Sequence, residues 1–270
     1  MGDPPIIALD TNLARLPFVI VAAALGGAVN SIAGGGTLLT FPALIGLGIP
    51  ALVANATSTV ALWPGALGSM WGYRGELSGA RRWAVRWAIP SVLGGLAGAL
   101  LLLGTSAARF EGIVPWLVLG ATTLFIIQRP LMERLRSHTA TQEPPADPSE
   151  AAPARTVLLY QFAVGVYGGY FGAGIGILML AALGFSGFTN IHRMNGLKNF
   201  GGLCVNAVAA ITFAMSSLVD WPVALAMAVG ATIGGYAGSR MAQRVPQKRV
   251  RQAIIAIGLT SGIWLLVNRF

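Results

Sequence analysis

Charged side chains are scarce in this sequence. Only 10% of its 270 residues are Asp, Glu, Lys or Arg, whereas 55% are hydrophobic, and the mean hydropathy is +0.70. A soluble domain carries about 25% charged residues, so this chain has too few to cover a water-facing surface. Apolar stretches near or above about 18 residues, which are typical of transmembrane helices, recur along most of its length. The composition therefore excludes an ordinary soluble domain and predicts an all-α polytopic membrane protein.

Acidic residues are the rarer of the two charged classes. All nine fall in predicted loops or termini: Asp3, Asp10, Glu76, Glu111, Glu133, Glu143, Asp147, Glu150 and Asp220. Ionisable residues inside a bilayer are costly and mark transport pathways, and carriers of cations usually need a carboxylate there. An interior without carboxylates argues against a carrier of Na⁺ or metal ions, and we predict no metal site.

Cysteine and catalytic motifs are also lacking. The lone Cys204 excludes an intramolecular disulfide, and we interpret it as helix filler rather than a contact to a sulfur substrate. The sequence holds no HExxH, GxSxG or cysteine cluster, and "GAGIG" (172–176) has no strand–helix unit around it. We therefore expect no enzyme, no catalytic residue and no cofactor. The N-terminus lacks a basic region before its apolar run, so no cleaved signal peptide is predicted.

The apolar segments are 17–48, 52–71, 84–104, 112–128, 156–184, 190–215, 222–241 and 251–268. Glycines interrupt the first and the fifth. The polar, proline-rich stretch between the fourth and the fifth reads as a flexible linker outside the membrane. The predicted organisation is a first transmembrane repeat (1–128), a cytoplasmic linker (129–155) and a second transmembrane repeat (156–270).

The two halves share an ordered glycine pattern. The glycines of "PSVLGGLAGALL" (90–101) align with those of "GATIGGYAGSRM" (230–241) at an offset of 140 residues, and Asn55 aligns with Asn195 at the same offset. The glycines that break the first segment align with those that break the fifth at an offset of 138. Such weak internal symmetry is typical of transporters built from structural repeats.

Loop charge indicates that the repeats are inverted. Loop 72–86 is basic but its repeat partner 216–221 is not, whereas loop 240–251 is basic and its partner 105–111 is nearly neutral. Basic loops stay in the cytoplasm, so both basic loops and the linker are expected inside, with both termini outside. Both basic loops can lie on the cytoplasmic side only if each broken segment is a re-entrant hairpin that is followed by three full spans. Non-helical backbone at that depth must line a cavity or be buried in protein, and a half-helix N-terminus there attracts an anion.

Polar residues inside the membrane mark a candidate site. Asn195, Asn199, Gly202 and Asn206 share one helix face, which Lys198 borders. The candidate substrate-binding residues are Lys198, Asn195, Asn199, Asn206, Asn55, Ser58, Thr59, Asn30, Gly35, Gly36, Gly172 and Gly174. The alternative is that Lys198 reaches the interface and the asparagines join helices. His192 and Arg193 are interpreted as interface anchors.

The glycine-broken segments also carry a family resemblance. "IAGGGTLLTFPAL" (32–44) followed by "ANATS" (54–58) resembles the TauE/SafE sulfite-exporter family of bacterial membrane proteins, and the likeness covers both halves apart from the linker. The resemblance implies export of sulfite, an organosulfonate or another sulfur anion across the bacterial inner membrane. The second half departs from the family pattern, because Lys198–Asn199 stands where a Thr–Ser-like pair is common.

Composition and resemblance lead to one expected function. We expect a transporter, an exporter of a small sulfur oxyanion, that works by alternating access. The alternatives are a small-anion channel and a membrane assembly factor without a substrate. The expected partners are the anion and the lipid bilayer; a homodimer is compatible with the sequence. Nucleic acid is not expected, although the net charge is +9, because the basic residues belong to cytoplasmic loops.

Overall fold

The computed structural model describes residues 16–77, 79–139, 152–241 and 247–267, where the regular backbone is helical throughout. The first half contains α1 (Leu16–Ala33), α2 (Thr37–Gly46), α3 (Ala51–Gly72), α4 (Arg81–Leu103) and α5 (Ala107–Thr139). The second half contains α6 (Arg155–Tyr170), α7 (Ile175–Phe185), α8 (Ile191–Ala214), α9 (Trp221–Met241) and α10 (Gln247–Val267). A short 3-10 helix, Arg74–Leu77, joins α3 to α4.

Four of the described helices are long and apolar enough to cross a membrane. They are Arg81–Leu103, Ala107–Ile127, Ile191–Ala214 and Trp221–Met241. Shorter apolar helices occupy Leu16–Ile32, Thr37–Gly46, Ile175–Phe185 and Arg251–Val267. The prediction of an all-helical polytopic membrane protein is confirmed by this set. α3 is as long as the spanning helices but is not among them, since it carries a polar cluster at 55–59.

Both predicted glycine interruptions are breaks between helices. α1 ends before Gly34, which has φ +79°, and α6 ends before Gly172 and Gly174, which have φ +82° and +81°. Only glycine adopts this left-handed backbone readily, so these residues allow the chain to leave one helix and begin the next. The two breaks lie against each other, because a β-carbon on Gly34 would be 2.6 Å from the Cα atom of Gly176.

Glycines also let α9 pack directly on α1. A β-carbon on Gly234 would overlap the carbonyl group of Ala24, and one on Gly238 would lie 2.6 Å from the Cα atom of Ala28. Small residues at a helix interface allow this close backbone approach. The residue numbers rise together along the contact, so α1 and α9 are parallel.

The same contact recurs between α4 and α6. A β-carbon on Gly94 would overlap the carbonyl oxygen of Phe162, and one on Gly98 would overlap that of Val166. α4 and α6 are therefore parallel as well. The repeated glycine pattern thus marks two equivalent interfaces, each joining one half of the chain to the other.

α3 also runs parallel to α9. A β-carbon on Gly65 would lie 2.9 Å from the carbonyl carbon of Ala231, and one on Gly72 would overlap the side chain of Ser239. The C-terminal ends of α3 and α9 therefore lie side by side. Because α4 follows α3 after a short loop, α4 begins at this same end of the bundle, and so does its parallel neighbour α6.

α5 and α10 pack in opposite directions. A β-carbon on Gly258 would overlap the side chain of Thr122, whereas one on Gly262 would lie 2.6 Å from the side chain of Leu119. α5 therefore ends at the end of the bundle where α10 begins. We call this the basic end because it carries a set of exposed arginines. They are Arg74, Arg81, Arg82, Arg86, Arg155 and Arg240.

The short helices α2 and α7 point to opposite ends. A groove of about 330 Å³ places Pro42 and Gly46 of α2 beside Thr260 and Leu265 of α10, near the α10 C-terminus and away from the basic end. α7 instead runs back along α6, since the Tyr160 hydroxyl donates to the Leu178 carbonyl at 3.3 Å. Just after α7, the Phe188 ring meets the Trp83 ring at 4.8 Å, at the basic end.

Helix α5 differs from its expected limits. It begins at Ala107, so Glu111 lies in its second turn rather than in a loop, and it continues to Thr139 rather than ending where the predicted linker starts at 129. Glu133, also expected in a loop, lies within this helix. The predicted positions of Asp3, Asp10, Glu143, Asp147 and Glu150 lie outside the described residues.

Candidate functional site

A small cavity lies where the two breaks meet α3 and α8. Its polar lining comes from Asn30, Ser69, Lys198, Asn199 and Asn206. Small residues Gly34, Ala66, Gly176 and Gly202, with Ile175, Met179 and Leu203, complete the wall. The cavity thus joins both halves, with α1 and α3 from the first and α7 and α8 from the second.

The cavity is small in this conformation. The space open to the centre of a water molecule is about 20 Å³, and about 10–15 Å³ is enough to hold one water. An oxyanion with three oxygens is larger than this space. The surrounding helices would therefore have to separate before such an anion could bind.

Lys198 is buried and bonded within the protein. Its side chain is 2% exposed, and Nζ donates to the carbonyl oxygens of Ser31 at 3.1 Å and Ile32 at 3.5 Å. These carbonyls lie in the last turn of α1, where the helix break removes their usual partners. A cation is also favoured at a helix C-terminus. Since an ammonium group has three donors, one remains for a ligand in the cavity.

Asn199 supplies a second donor to the cavity. It is 8% exposed, and its Nδ2 amide has no hydrogen-bond partner in the part of the chain that the structure describes. A buried donor without a partner is unfavourable by about 1–3 kcal/mol. Because Asn199 lines the cavity beside Lys198, this amide is placed to bind an acceptor there.

The start of α7 makes the cavity more attractive to an anion. Ile175 and Gly176, in its first turn, form part of the wall. The first N–H groups of a helix lack intrahelical acceptors and carry partial positive charge. Among the described residues no carboxylate lines this cavity. Nor do the described residues contain a group of three or more His, Cys, Asp or Glu that could hold a metal ion.

The predicted site residues of α3 lie outside the cavity. Asn55 donates through Nδ2 to the Tyr170 carbonyl at 2.9 Å, the Ser58 and Thr40 hydroxyls share a 2.6 Å hydrogen bond, and Thr59 donates to the Asn55 carbonyl at 2.9 Å. Tyr170 is the last residue of α6. Asn55 of α3 therefore satisfies the end of α6, much as Lys198 of α8 satisfies the end of α1.

The other predicted site residues fall into two groups. Asn30, Lys198, Asn199 and Asn206 line the cavity. Asn195 is 6% exposed and its Oδ1 lacks a partner in the described chain, but it does not line the cavity. Gly35, Gly36, Gly172 and Gly174 shape the two breaks and do not reach the wall either.

Sequence reasoning did not assign eight of the twelve wall residues to the site, including Gly34 and Gly176 at the two breaks. Ala66, Ser69, Ile175, Met179 and Leu203 carry no charge or amide, so nothing in the sequence alone separated them from ordinary helix interior. Gly202 was placed on the polar face of α8 but not assigned to the site. His192 and Arg193 begin α8, with the Arg193 guanidinium near Gly79 at the basic end. The anchoring role expected of these two residues stays a prediction.

Comparisons with known proteins give a consistent family. The family model described as Sulfite exporter TauE/SafE matches residues 19–265. The probable membrane transporter protein ORF9 of a Sinorhizobium species is 30% identical over 268 residues, which cover 96% of this chain and 95% of that protein. The probable membrane transporter protein YfcA of Escherichia coli K12 is 28% identical over 261 residues, covering 94% and 90%. A probable membrane transporter protein of Haemophilus influenzae is 25% identical over 250 residues, covering 92% of each chain. No solved structure matches this chain.

Proposed function

Because this chain belongs to the TauE/SafE sulfite exporter family of membrane transporters, we propose that it exports a small sulfur oxyanion, sulfite or an organosulfonate. The observation that carries the proposal is the cavity shared by the two halves. It combines the Lys198 ammonium, the unpartnered Asn199 amide and the start of α7, with no carboxylate in its described lining. All three features favour negative charge.

The chemistry of the cavity suits an SO₃ group. Three oxygens around one sulfur can accept several hydrogen bonds at once, and the site offers donors from α8 and from the first turn of α7. A hydrogen bond from a charged donor is about twice as strong as one between neutral groups. Lys198 would therefore contribute most to affinity, while the neutral donors orient the oxygens.

We further infer that the two halves form inverted repeats, each a re-entrant hairpin followed by three spans. The contact of Ala24 with Gly234 recurs as that of Phe162 with Gly94, at the sequence offsets of 138 and 140 residues (162 − 24 and 234 − 94). The hairpin of α1 and α2 enters the bundle from the end opposite the basic end, whereas the hairpin of α6 and α7 enters from the basic end. If the two repeats exchanged their arrangements, the cavity would open first to one side of the membrane and then to the other.

The cell inner membrane is the proposed location, with the basic end in the cytoplasm. Exposed arginines concentrate at that end, and positive residues are retained on the cytoplasmic side. The small volume of the cavity favours a carrier over an open channel, because the surrounding helices must separate before an anion of this size can bind.

The proposal can be tested with purified protein in proteoliposomes. A panel of sulfite, sulfoacetate, thiosulfate, sulfate and lactate should show saturable flux for at least one sulfur oxyanion and none for lactate. Lys198→Met should weaken binding of that anion by roughly ten- to a hundredfold, since a hydrogen bond to a charged group is worth about 1.5–3 kcal/mol.

The matched control is Arg81→Gln, which removes a positive charge that is exposed at the basic end. It should leave affinity nearly unchanged. Flux that rises linearly with concentration without saturating would contradict the carrier. Equal affinity of wild type and Lys198→Met would contradict the site.

A further inference from the structure

Two arginines at the basic end each lie over an aromatic ring of their own chain segment. The Arg74 guanidinium lies 4.7 Å from the centroid of the Trp71 ring and donates to the Trp71 carbonyl at 2.8 Å. The Arg240 guanidinium lies 5.3 Å from the centroid of the Tyr236 ring and donates to the Tyr236 hydroxyl at 2.9 Å. All four residues are exposed. A cation over a ring face is held there by electrostatic attraction, so both guanidinium groups have a defined position at the surface.

The two arginine–ring pairs lie at one helix junction. A β-carbon on Gly68 of α3 would lie 3.5 Å from the Cβ atom of Tyr236, and one on Gly72 would overlap the side chain of Ser239. Trp71 follows Gly68 by three residues, which places both on the same side of α3. The last turns of α3 and α9 therefore bring the two pairs to neighbouring positions on one exposed surface of the basic end.

Neither guanidinium contacts an anion within the described chain. Their contacts are two rings, one carbonyl and one hydroxyl. Glu76, two residues after Arg74, packs beside α8, since a β-carbon on Gly196 would lie 3.3 Å from its Cβ atom. A guanidinium has five N–H donors, so both arginines keep donors for an external acceptor. The Tyr236 hydroxyl accepts from Arg240 and keeps its own proton to donate.

The helix surface that leads up to these arginines is apolar. On α3, Leu67 is exposed one turn before Trp71. On α9, Ile233 and Val229 are exposed one and two turns before Tyr236. Tryptophan and tyrosine are enriched at the level of the lipid headgroups, which places the apolar side chains at the depth of the acyl chains. The surface therefore offers phosphate donors at headgroup level and apolar area beneath them.

We propose that the junction of α3 and α9 binds an anionic phospholipid of the leaflet at the basic end, with Arg74 and Arg240 as phosphate ligands and Tyr236 as a further donor. The planar fork of arginine matches the oxygens of a phosphate, and basic pockets between transmembrane helices on the cytoplasmic side bind such headgroups. Because α3 belongs to the first half and α9 to the second, the lipid would join the two halves. The inference does not depend on the anion cavity.

The test measures thermal unfolding of delipidated protein in detergent at 0.15 M ionic strength, a condition chosen because the Debye length is then about 8 Å. Phosphatidylglycerol, cardiolipin, phosphatidylcholine or inorganic phosphate is added in increasing amounts. A ligand that binds the folded state raises the unfolding temperature as its concentration rises. The two anionic lipids should raise it, whereas phosphatidylcholine and inorganic phosphate should not. Arg74→Gln/Arg240→Gln should need about tenfold more anionic lipid, or more, for the same rise, since it removes charge-assisted hydrogen bonds.

Arg81→Gln/Arg155→Gln is the matched control. Both arginines are exposed at the basic end, and they begin α4 and α6. The control therefore removes the same net charge from the same end without touching the junction of α3 and α9. It should need less than about threefold more anionic lipid, because salt screens charges that do not contact the phosphate.

Equal losses in the two double variants would overturn the site and leave only general attraction to negative charge. Stabilisation by phosphatidylcholine or inorganic phosphate as strong as that by phosphatidylglycerol would also overturn it. Tyr236→Phe supplies a milder variant, since it keeps both charges and the ring beneath Arg240. It should weaken the response to anionic lipid by about two- to tenfold, the scale of one neutral hydrogen bond. An unchanged response would contradict the proposed headgroup contacts even if the arginine variant failed to fold.

Discussion

At the scale of single residues, polar side chains compensate for broken helices. Lys198 bonds to the carbonyls at the end of α1, and Asn55 bonds to the carbonyl at the end of α6. A carbonyl left without a partner in an apolar interior is strongly unfavourable. The interface alternative for Lys198 does not hold, since its ammonium group is directed to interior carbonyls. Of these two residues, Lys198 also lines the cavity, whereas Asn55 does not.

Asn55→Leu should destabilise the protein without much effect on the anion. The substitution leaves the Tyr170 carbonyl without its donor, which costs about 1–3 kcal/mol. Thermal unfolding in detergent should shift to lower temperature, while sulfite affinity of the folded fraction stays within about twofold of wild type, a change of about 0.4 kcal/mol.

Thr232→Val is the control, because Thr232 is exposed and its hydroxyl donates within its own helix, to the Ala228 carbonyl at 2.7 Å. It should unfold at nearly the wild-type temperature. An Asn55→Leu variant with unchanged unfolding but much weaker anion binding would place Asn55 in the site after all.

The sequence could not separate the roles of Asn55 and Asn195. Both are asparagines at equivalent positions of the repeat, and the same reasoning made both substrate ligands. Asn55 donates to a helix end, whereas at the equivalent break Lys198 takes over that role. The Oδ1 atoms of both asparagines lack a partner among the described residues. Which residue reaches a helix end depends on the position of the neighbouring helix, and residue type alone does not give it.

At the scale of helices, glycine is needed at the breaks for two different reasons. Gly172 and Gly174 have positive φ values, and their hypothetical β-carbons meet atoms only at 3.1 Å and 3.6 Å. Gly34 combines positive φ with backbone of the opposite break at 2.6 Å. The first break is therefore constrained by packing as well as by backbone conformation.

Gly34→Ala should be more damaging than Gly48→Ala. Both residues have positive φ, +79° and +82°, so both substitutions incur about 1–2 kcal/mol of backbone strain. Only Gly34 would also force the two breaks apart, since the space around Gly48 is open in the described chain. Unfolding temperature and sulfite flux should fall clearly further for Gly34→Ala. Equal losses in the two variants would mean that conformation alone selects glycine at position 34.

Helix limits were predicted well where apolar residues define them and poorly elsewhere. The expected segment 84–104 agrees with α4 at Arg81–Leu103. The segment 112–128 captured only the apolar part of α5, which continues to Thr139. Backbone hydrogen bonds continue a helix without apolar side chains, so the loss of hydrophobicity after position 128 marked the end of the apolar stretch and not the end of the helix.

At the scale of the whole molecule, loop charge and helix direction give the same arrangement. The parallel contacts of α3 with α9 and of α4 with α6 place the basic segments at one end. The sequence suggested this arrangement through the positive-inside rule. It could not show that α1 packs on α9 and α6 on α4, because repeated glycines indicate close helix packing without naming the partner.

Single-cysteine labelling tests the arrangement. In a Cys204→Ser background, Gly75→Cys and Arg155→Cys introduce thiols at exposed positions of the basic end, while Ser106→Cys and Ser217→Cys introduce them at exposed positions in the α4–α5 and α8–α9 loops. α4 begins at the basic end and α9 ends there. The loop after α4 and the loop before α9, which carry the second pair, therefore lie at the opposite end. In intact cells, an impermeant maleimide should label Ser106→Cys and Ser217→Cys and should reach the first pair only after permeabilisation.

Labelling of Gly75→Cys and Ser217→Cys from the same side would be incompatible with α9 as a full span. Labelling of the basic pair alone in intact cells would reverse the orientation, which would place the cytoplasm at the other end while leaving the fold intact.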